Sequence, residues 1–217
     1  MKDVEPSGAP GAREKILQTA HDLFYRDGVR ATGVDTLIRA SGVAKATFYR
    51  HFPTKNDLVR AFLEHRHRRW IGWFEGSLAQ HRARQNPAER EKSPLAPLSA
   101  ALAEWLRDPA YRGCAFINSV AEIGGALPEA RTISARHKAE MIGAIASLLE
   151  GAADAADIAL AVGLAVDGAI VKAQLGGEEV DKALRALDCA LAALAPAGDG
   201  ATAQRAAAEA RRHSASE

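Results

Sequence analysis

The stretch SGVAKATFYRHFPTKNDL, from Ser41 to Leu58, decides the fold of the first part of this chain. A serine–glycine turn separates one short helical pattern from a second, which runs from Ala44 to His51. Val43, Phe48 and Phe52 recur at a spacing of four or five residues and are predicted to face the core, so the donors between them point outward. Two short helices joined by a glycine-containing turn form a helix-turn-helix.

Hydrophobic periodicity in the rest of the chain predicts about nine helices and no strand, which is an all-α fold. Residues 83–94 are polar and contain proline, and we expect a loop there. The predicted helices span Arg13–Arg26, Val34–Ala40, Ala44–His51, Lys55–Arg82, Leu95–Leu106, Cys114–Ile123, Pro128–Glu150, Ala155–Leu175 and Glu178–Ala195.

Two threonines stand where helices are expected to begin. Thr32 is followed three residues later by Asp35, and Thr54 by Asp57. A hydroxyl followed at this spacing by a carboxylate is typical of a capping box, in which each side chain bonds the other residue's backbone amide. We therefore expect Thr32 to cap the second helix and Thr54 the fourth.

Composition and charge narrow the class of protein. The chain has 217 residues, of which 47% are hydrophobic and 25% charged, as in ordinary globular proteins. Residues 1–69 carry 13 Lys and Arg against 8 Asp and Glu, whereas the remainder carries 15 against 19. A basic first part is typical of a segment that meets a polyanion, although a solvated face gives the same pattern.

The sequence also indicates a location. Cys114 and Cys189 are too few for a disulfide framework, so a reducing cytoplasm fits. The stretch MKDVEPSGAPG at the start has no apolar core and is not a signal peptide. Charges interrupt the alanine-rich stretches, so we expect no membrane span.

The predicted helix-turn-helix suits a DNA duplex. Its second helix lies in the major groove, where donors and small side chains meet base edges. Lys55, in the first turn of the following helix, is placed to meet a phosphate together with the amides of that helix N-terminus.

The run ATGVDTLIRASGVAKATFYRHFPTKNDLVRAF, Ala31 to Phe62, resembles the DNA-binding motif of the TetR/AcrR family of transcriptional regulators. The similar segment extends from Arg13 to about Phe62, and its pattern G-V-x-x-x-x-[FL]-Y-x-H-F-x-x-K-x-x-L is highly specific. The resemblance implies a homodimer in which the long fourth helix links a DNA-binding head to a helical ligand-binding body. It also implies repression that a small ligand relieves.

The resemblance further implies which residues meet DNA: Thr32 near a phosphate, Lys55 on the backbone, and the outward face of the recognition helix. Tyr49 is also open to a role as a core aromatic, His51 and Thr32 as helix caps, and Arg50 as either a base reader or a phosphate contact. The implied DNA-binding set is Thr32, Gly33, Lys45, Ala46, Thr47, Tyr49, Arg50, His51 and Lys55.

The body carries an aromatic set that suits a ligand cavity between helices, although each aromatic taken alone is more often a core residue. The segment RGCAFINSVAEIG, Arg112 to Gly124, resembles a subset of TetR-like regulators with an R-G-C-x-F-x-N segment. Glu122 there is either a polar group of the cavity or a solvent-facing or dimer-edge residue. The candidate ligand-binding residues are Trp70, Trp73, Phe74, Trp105, Phe116, Asn118, Glu122, His137 and Met141.

The last two predicted helices are rich in Ala, Leu and Val on more than one face. We expect two of them from each subunit to form a four-helix dimer interface, with packing inside one chain as the alternative. The apolar series of the final helix consists of Val180, Leu184, Leu187, Leu191 and Leu194.

From these patterns we expect a flexible lead at 1–11, a helix-turn-helix DNA-binding domain at 12–58, and a ligand-binding and dimerisation domain at 59–195. The tail at 196–217 is expected to be disordered or a frayed exposed helix. The leading hypothesis is a cytoplasmic repressor that a hydrophobic or aromatic ligand releases from a palindromic operator. The alternatives are a helical enzyme using His137, Glu122 or Cys114, and a protein-interaction module. The chain contains no G-x-S-x-G, H-E-x-x-H, P-loop or dinucleotide fingerprint, so we expect no enzymatic activity, metal site or cofactor.

Overall fold

A computed structural model describes residues 11–196, and ten α-helices with no strand account for their regular structure. The predicted all-α fold is confirmed, whereas the predictions for the lead and the tail fall almost entirely on residues outside this range. A short 3-10 turn, Ser147–Leu149, follows α8. The helices are α1 Ala12–Asp27, α2 Val34–Ser41, α3 Lys45–His51, α4 Lys55–Arg84, α5 Pro87–Lys92, α6 Ala96–Leu106, α7 Ala115–Ile123, α8 Pro128–Ala146, α9 Ala155–Ala173 and α10 Glu178–Leu194.

Helix α5 lies where a loop was expected. The Glu89 amide donates to the Asn86 side chain at 3.0 Å, and the Asn86 amide donates back to the Glu89 carboxylate at 2.9 Å. Pro87 at the first helical position has the backbone angle that a helix needs. This capping box explains a short helix with no buried residue, because its end groups are satisfied locally rather than by packing.

The head is built from α1, α2 and α3. Gly42 ends α2 in a left-handed conformation, φ +66°, and thereby makes the turn of the helix-turn-helix. Phe48 and Phe52 are buried, as the sequence predicted. Helix α3 packs against α1, and Arg13 of α1 lies over the Phe52 ring, so α3 is held by one face and presents the other to solvent.

One of the two predicted capping boxes is present. Thr54 and Asp57 bond reciprocally at the start of α4. The prediction for Thr32 is wrong, because Gly33 caps α2 and no side chain bonds its first amides. The Thr32 hydroxyl donates instead to the Gly28 carbonyl at 2.7 Å, which closes the loop between α1 and α2.

Helix α4 connects the head to the body. It has 30 residues and is about 45 Å long. In the body it packs against α6 and α8, while α9 packs against α8 and α10. No helix among the described residues is long and apolar enough to cross a membrane.

The apolar stripe of α10 packs inside the chain. Leu184, Leu187 and Leu191 are buried where α10 lies against α9 and α6, so the alternative of intrachain packing holds for this stripe. The exposed large apolar side chains of this region lie on α9 and two residues beyond its end instead. They are Leu160, Leu164, Val171 and Leu175, with exposed fractions of 51% to 74%.

Candidate functional site

The outer face of α3 presents donors to solvent. Lys45, Ala46 and Arg50 are exposed, and Tyr49 is 41% exposed with its ring edge-on to Phe48 at 5.6 Å. Burial of Phe48 fixes the rotation of the helix, and the residues around it point outward as a consequence. Thr47 and His51 flank this face and are half-buried.

Three other residues predicted to meet DNA surround the loop between α1 and α2. Gly33 is exposed at the start of α2, whereas Thr32 is buried and its hydroxyl is already bonded to Gly28. The Lys55 ammonium donates to the Val29 carbonyl at 2.6 Å, and burial lowers the pKa of Lys55. Lys55 therefore ties the start of α4 to this loop.

The largest aromatic cluster of the body surrounds an open cavity between α1, α4 and α6. We call it the tryptophan cavity, because it is lined by Trp70, Trp73 and Trp105, whose ring centroids lie 5.2 to 6.4 Å apart. Its volume is about 580 Å³, within the usual range for small-molecule sites. Tyr25 of α1 and Tyr111 complete its aromatic lining.

Four of the predicted ligand residues lie behind this lining. Phe74 stacks on Trp70 at 4.7 Å, and Phe116 stacks on His137 at 3.7 Å. Trp70, Phe116 and His137 enclose a second, much smaller space of about 10 Å³. Met141 is fully buried deeper in the core. These four residues support the cavity rather than face it.

Asn118 and Glu122 lie outside the tryptophan cavity. Their shared face on α7 points toward the head, and both line a separate cleft of about 270 Å³. The Asn118 amide donates to the Arg112 carbonyl at 3.3 Å and accepts from Gln174 at 3.2 Å. Glu122 accepts a hydrogen bond from the Arg30 backbone amide at 3.0 Å. The charge of Glu122 is thus satisfied at the boundary between head and body.

Arg66 is the main residue of the cavity that the sequence interpretation missed. It is buried and lines the tryptophan cavity from α4. A signal was present, since Arg66 occupies the buried stripe of α4 between Leu63 and Trp70, where the helical period calls for an apolar side chain. A charge in such a stripe indicates a functional site or a buried network.

The side chains that contact Arg66 directly are aromatic. Its guanidinium lies over the Tyr25 ring at 4.1 Å and contacts the His21 Nε2 at 3.3 Å. Burial, ahead of the charges of Arg66 and Arg69, lowers the pKa of His21 to about 4. His21 is therefore neutral at pH 7, with its Nε2 accepting from Arg66 and its Nδ1 donating to Asp22 at 3.1 Å.

A second buried histidine lies behind the cavity. His137 contacts His67 through their Nδ1 atoms at 3.3 Å, and burial lowers the pKa of His137 to about 2. His137 and Cys114 line the same small space, but Glu122 does not, so the three residues considered for catalysis form no single constellation. Within residues 11–196, no three His, Cys, Asp or Glu side chains are grouped as metal ligands.

Comparison with known proteins agrees with this architecture. The model of the family described as bacterial regulatory proteins, tetR family, matches residues 16–62. The HTH-type transcriptional repressor ComR of Escherichia coli is 32% identical over 128 residues, which are 58% of each chain. The HTH-type transcriptional regulator TtgR of Pseudomonas putida is 31% identical over 87 residues, 40% of this chain and 37% of that one. The chain thus matches less than two thirds of either relative.

The similarity of fold extends over more of the chain. The crystal structure of a TetR-family transcriptional regulator from Streptomyces coelicolor superposes with a TM-score of 0.70 at 25% identity, over 85% of this chain and 96% of that one. The matched segment includes the turn and α3, and the superposed fold includes the helices of the body. Residues 16–62 thus match the tetR family of bacterial regulatory proteins, and the fold of the chain is similar to that of a TetR-family transcriptional regulator.

Proposed function

We propose that this protein is a ligand-responsive transcriptional repressor that binds a palindromic DNA operator and releases it when a small aromatic molecule occupies the tryptophan cavity. The outer face of α3 carries the proposal. Lys45, Tyr49 and Arg50 stand exposed on a helix whose rotation Phe48 fixes, and the major groove accepts one such helix.

Release by a ligand requires that the cavity communicate with the head. Helix α1 belongs to the head, yet its residues His21, Asp22 and Tyr25 line the tryptophan cavity. A molecule bound there contacts α1 and α4 together, so its affinity depends on how the head is placed. Coupling between two sites is reciprocal, and operator DNA should weaken ligand binding by the same factor.

A palindromic site requires two copies of the head. Leu160, Leu164 and Val171 are exposed on α9, and Leu175 is exposed two residues beyond its end. Such a row of apolar side chains favours burial against a second subunit. We include α10 in the interface because it lies beside α9. In this dimer the two recognition helices would enter successive major grooves on one side of the duplex.

The test is selection of bound fragments from a pool of genomic DNA by the purified protein. We expect enrichment of a palindrome whose half-sites lie about one helical turn apart or somewhat more. Fluorescence anisotropy should then show tighter binding to the recovered duplex than to a scrambled one, with affinity falling as salt rises. Equal binding to both duplexes, with no sequence enriched, would overturn the proposal.

A further inference from the structure

The side chain of Arg66 is a buried cation for which residues 11–196 provide no ion-pair partner. Only 7% of the residue is exposed, and its contacts are the neutral His21 imidazole and the ring and hydroxyl of Tyr25. A guanidinium stays protonated in proteins, so this charge cannot be removed by losing a proton. Burial of an unpaired charge is costly, which indicates that the partner is a molecule from outside the chain.

The carboxylates nearest to the cavity have other partners. Asp22 contacts His21 at 3.1 Å, Glu104 contacts His81 at 2.9 Å, and Asp108 accepts from the Ala110 amide at 2.8 Å. These three are the acidic residues of the lining, and none lies within ion-pairing distance of Arg66. The positive charge of Arg66 is therefore not neutralised by any carboxylate of the cavity lining and is available to an anion.

The geometry leaves donors of Arg66 available. One guanidinium nitrogen contacts His21 Nε2, one face of the plane lies over the Tyr25 ring, and the Tyr25 hydroxyl is a further hydrogen-bond partner. A guanidinium has five N–H groups in a planar fork, which suits the two oxygens of a carboxylate. The neighbouring Trp70, Trp73 and Trp105 provide ring faces and edges for a flat apolar group.

We propose that the tryptophan cavity binds a small aromatic carboxylic acid as its anion, with the carboxylate on Arg66 and the ring among the three tryptophans. This proposal names the chemical class of the ligand in the proposed function. It rests on that function only for the claim that the bound molecule regulates DNA binding. The cavity volume of about 580 Å³ accommodates an acid of one or two fused rings. Arg66 sets the specificity for an acid over a neutral molecule of the same shape.

The test uses 2-naphthoate and 2-naphthamide, which share shape and differ in charge. Isothermal titration calorimetry on the full chain should show that the acid binds roughly 10- to 100-fold more tightly than the amide, since charge-assisted hydrogen bonds are lost with the amide. Arg66→Gln should lose that preference. Arg68→Gln is the matched control, because Arg68 lies on the same helix but is exposed and does not line the cavity.

Unfolding temperatures distinguish a ligand-binding role of Arg66 from a purely structural one, in which its replacement would destabilise the ligand-free chain. If the buried charge awaits a ligand, ligand-free Arg66→Gln should unfold at the same temperature as wild type or higher, and Arg66→Lys should retain part of the preference for the acid. 2-Naphthoate should raise the unfolding temperature of wild type and of Arg68→Gln, but not of Arg66→Gln.

Three outcomes would overturn the proposal: equal affinity of wild type for acid and amide, absence of binding of the acid up to its solubility limit, or unchanged binding by Arg66→Gln. The first two need no variant, so poor folding of Arg66→Gln leaves the test intact. The titrations contain no DNA. Failure of the operator selection alone would therefore refute the regulatory function and leave the anion site standing, whereas failure of the titrations alone would do the reverse.

Discussion

The Glu122 carboxylate of α7 accepts a hydrogen bond from the Arg30 backbone amide at 3.0 Å, and this contact joins the body to the loop that follows α1. The fit is close, because a Cβ added to Gly28 would lie 3.0 Å from a Glu122 oxygen. Lys55 holds the carbonyl of Val29 in the same loop. Side chains from α7 and α4 thus fix the loop that positions α2 and α3.

Replacement of Glu122 by Ala should loosen this contact. We expect the free energy of unfolding to fall by about 1 to 2 kcal/mol, because a hydrogen bond with a charged acceptor is lost. Glu122→Gln keeps an oxygen acceptor and should cost less. Urea denaturation measures both, and Glu129→Ala is the control, since its ion pair with Arg60 is exposed and should change stability by less than about 1 kcal/mol. Equal losses for Glu122→Ala and Glu129→Ala would contradict the role of this contact.

Substitutions on the outer face of α3 should affect DNA rather than folding. Lys45→Ala or Arg50→Ala should cost about 1 to 3 kcal/mol on the specific duplex and relax the preference at one base position, if that residue reads a base. Tyr49→Phe keeps the ring against Phe48, so lost affinity at an unchanged unfolding temperature would identify a hydroxyl contact with DNA. Fluorescence anisotropy on specific and scrambled duplexes measures each effect. Wild-type binding by all three variants would refute the recognition helix.

Lys55 has two possible roles that one variant can separate. As a phosphate contact, its removal in Lys55→Ala should weaken binding to all duplexes alike and lower the slope of log affinity against log salt by about one unit. As the partner of the Val29 carbonyl, its removal should lower the unfolding temperature. A salt titration and a thermal melt of the same preparation distinguish the two. An unchanged slope with a lowered melting temperature would leave Lys55 only its structural role.

The dimer should separate when the exposed row of α9 is charged. Leu164 is 69% exposed, so Leu164→Asp should leave the fold intact and yield a 23.0 kDa monomer, because a carboxylate is costly in an apolar interface. Leu187 is 2% exposed, and Leu187→Asp should unfold the chain instead. Light scattering at micromolar concentration, with circular dichroism as the folding control, measures both. A wild-type monomer under these conditions would contradict the interface.

Stability should fall as the pH decreases below about 6.5, the ordinary histidine pKa. The pKa values of His21 and His137 are lowered to about 4 and about 2, so the unfolded chain takes up protons that the folded chain does not. The stabilisation from keeping both histidines neutral is fully present above about pH 6.5. Below that pH, each histidine lowers the free energy of unfolding by up to about 1.4 kcal/mol per pH unit, until its pKa in the folded chain is reached. Urea denaturation at about pH 7.5, 6.5 and 5.5, on both sides of the ordinary histidine pKa, measures the slope of the free energy of unfolding against pH. His21→Gln should reduce the slope by about one proton. Equal slopes for wild type and His21→Gln would contradict this assignment.

Local patterns predicted most of the helices, because periodicity and caps act within a few residues. The box of Thr54 and Asp57 and the burial of Phe48 were both readable for this reason. The sequence could not show whether an apolar stripe packs inside the chain or against a second subunit, because both kinds of packing require the same spacing. The α10 stripe around Leu187 therefore looked like an interface and is core.

The cavity depends on contacts between residues that are distant in the chain. His21 meets Arg66 across 45 positions, and Arg30 meets Glu122 across 92. Sequence spacing gives no measure of such distances, so the aromatic set was found without the cation beside it. Only the misplaced charge of Arg66 within the apolar stripe of α4 signalled the site.

The sharing of α1 between head and cavity limits how this protein can be recombined. Tyr25 lines the cavity, and its hydroxyl donates to the Gly113 carbonyl and accepts from the Arg112 amide, each at 3.0 Å. A hybrid regulator that receives a foreign segment in place of residues 12–58 would exchange part of its ligand sensor along with its DNA reader. Residues 34–51 contribute nothing to the lining, so under the proposed function we expect a transplant of this shorter segment to change DNA binding and leave the cavity intact.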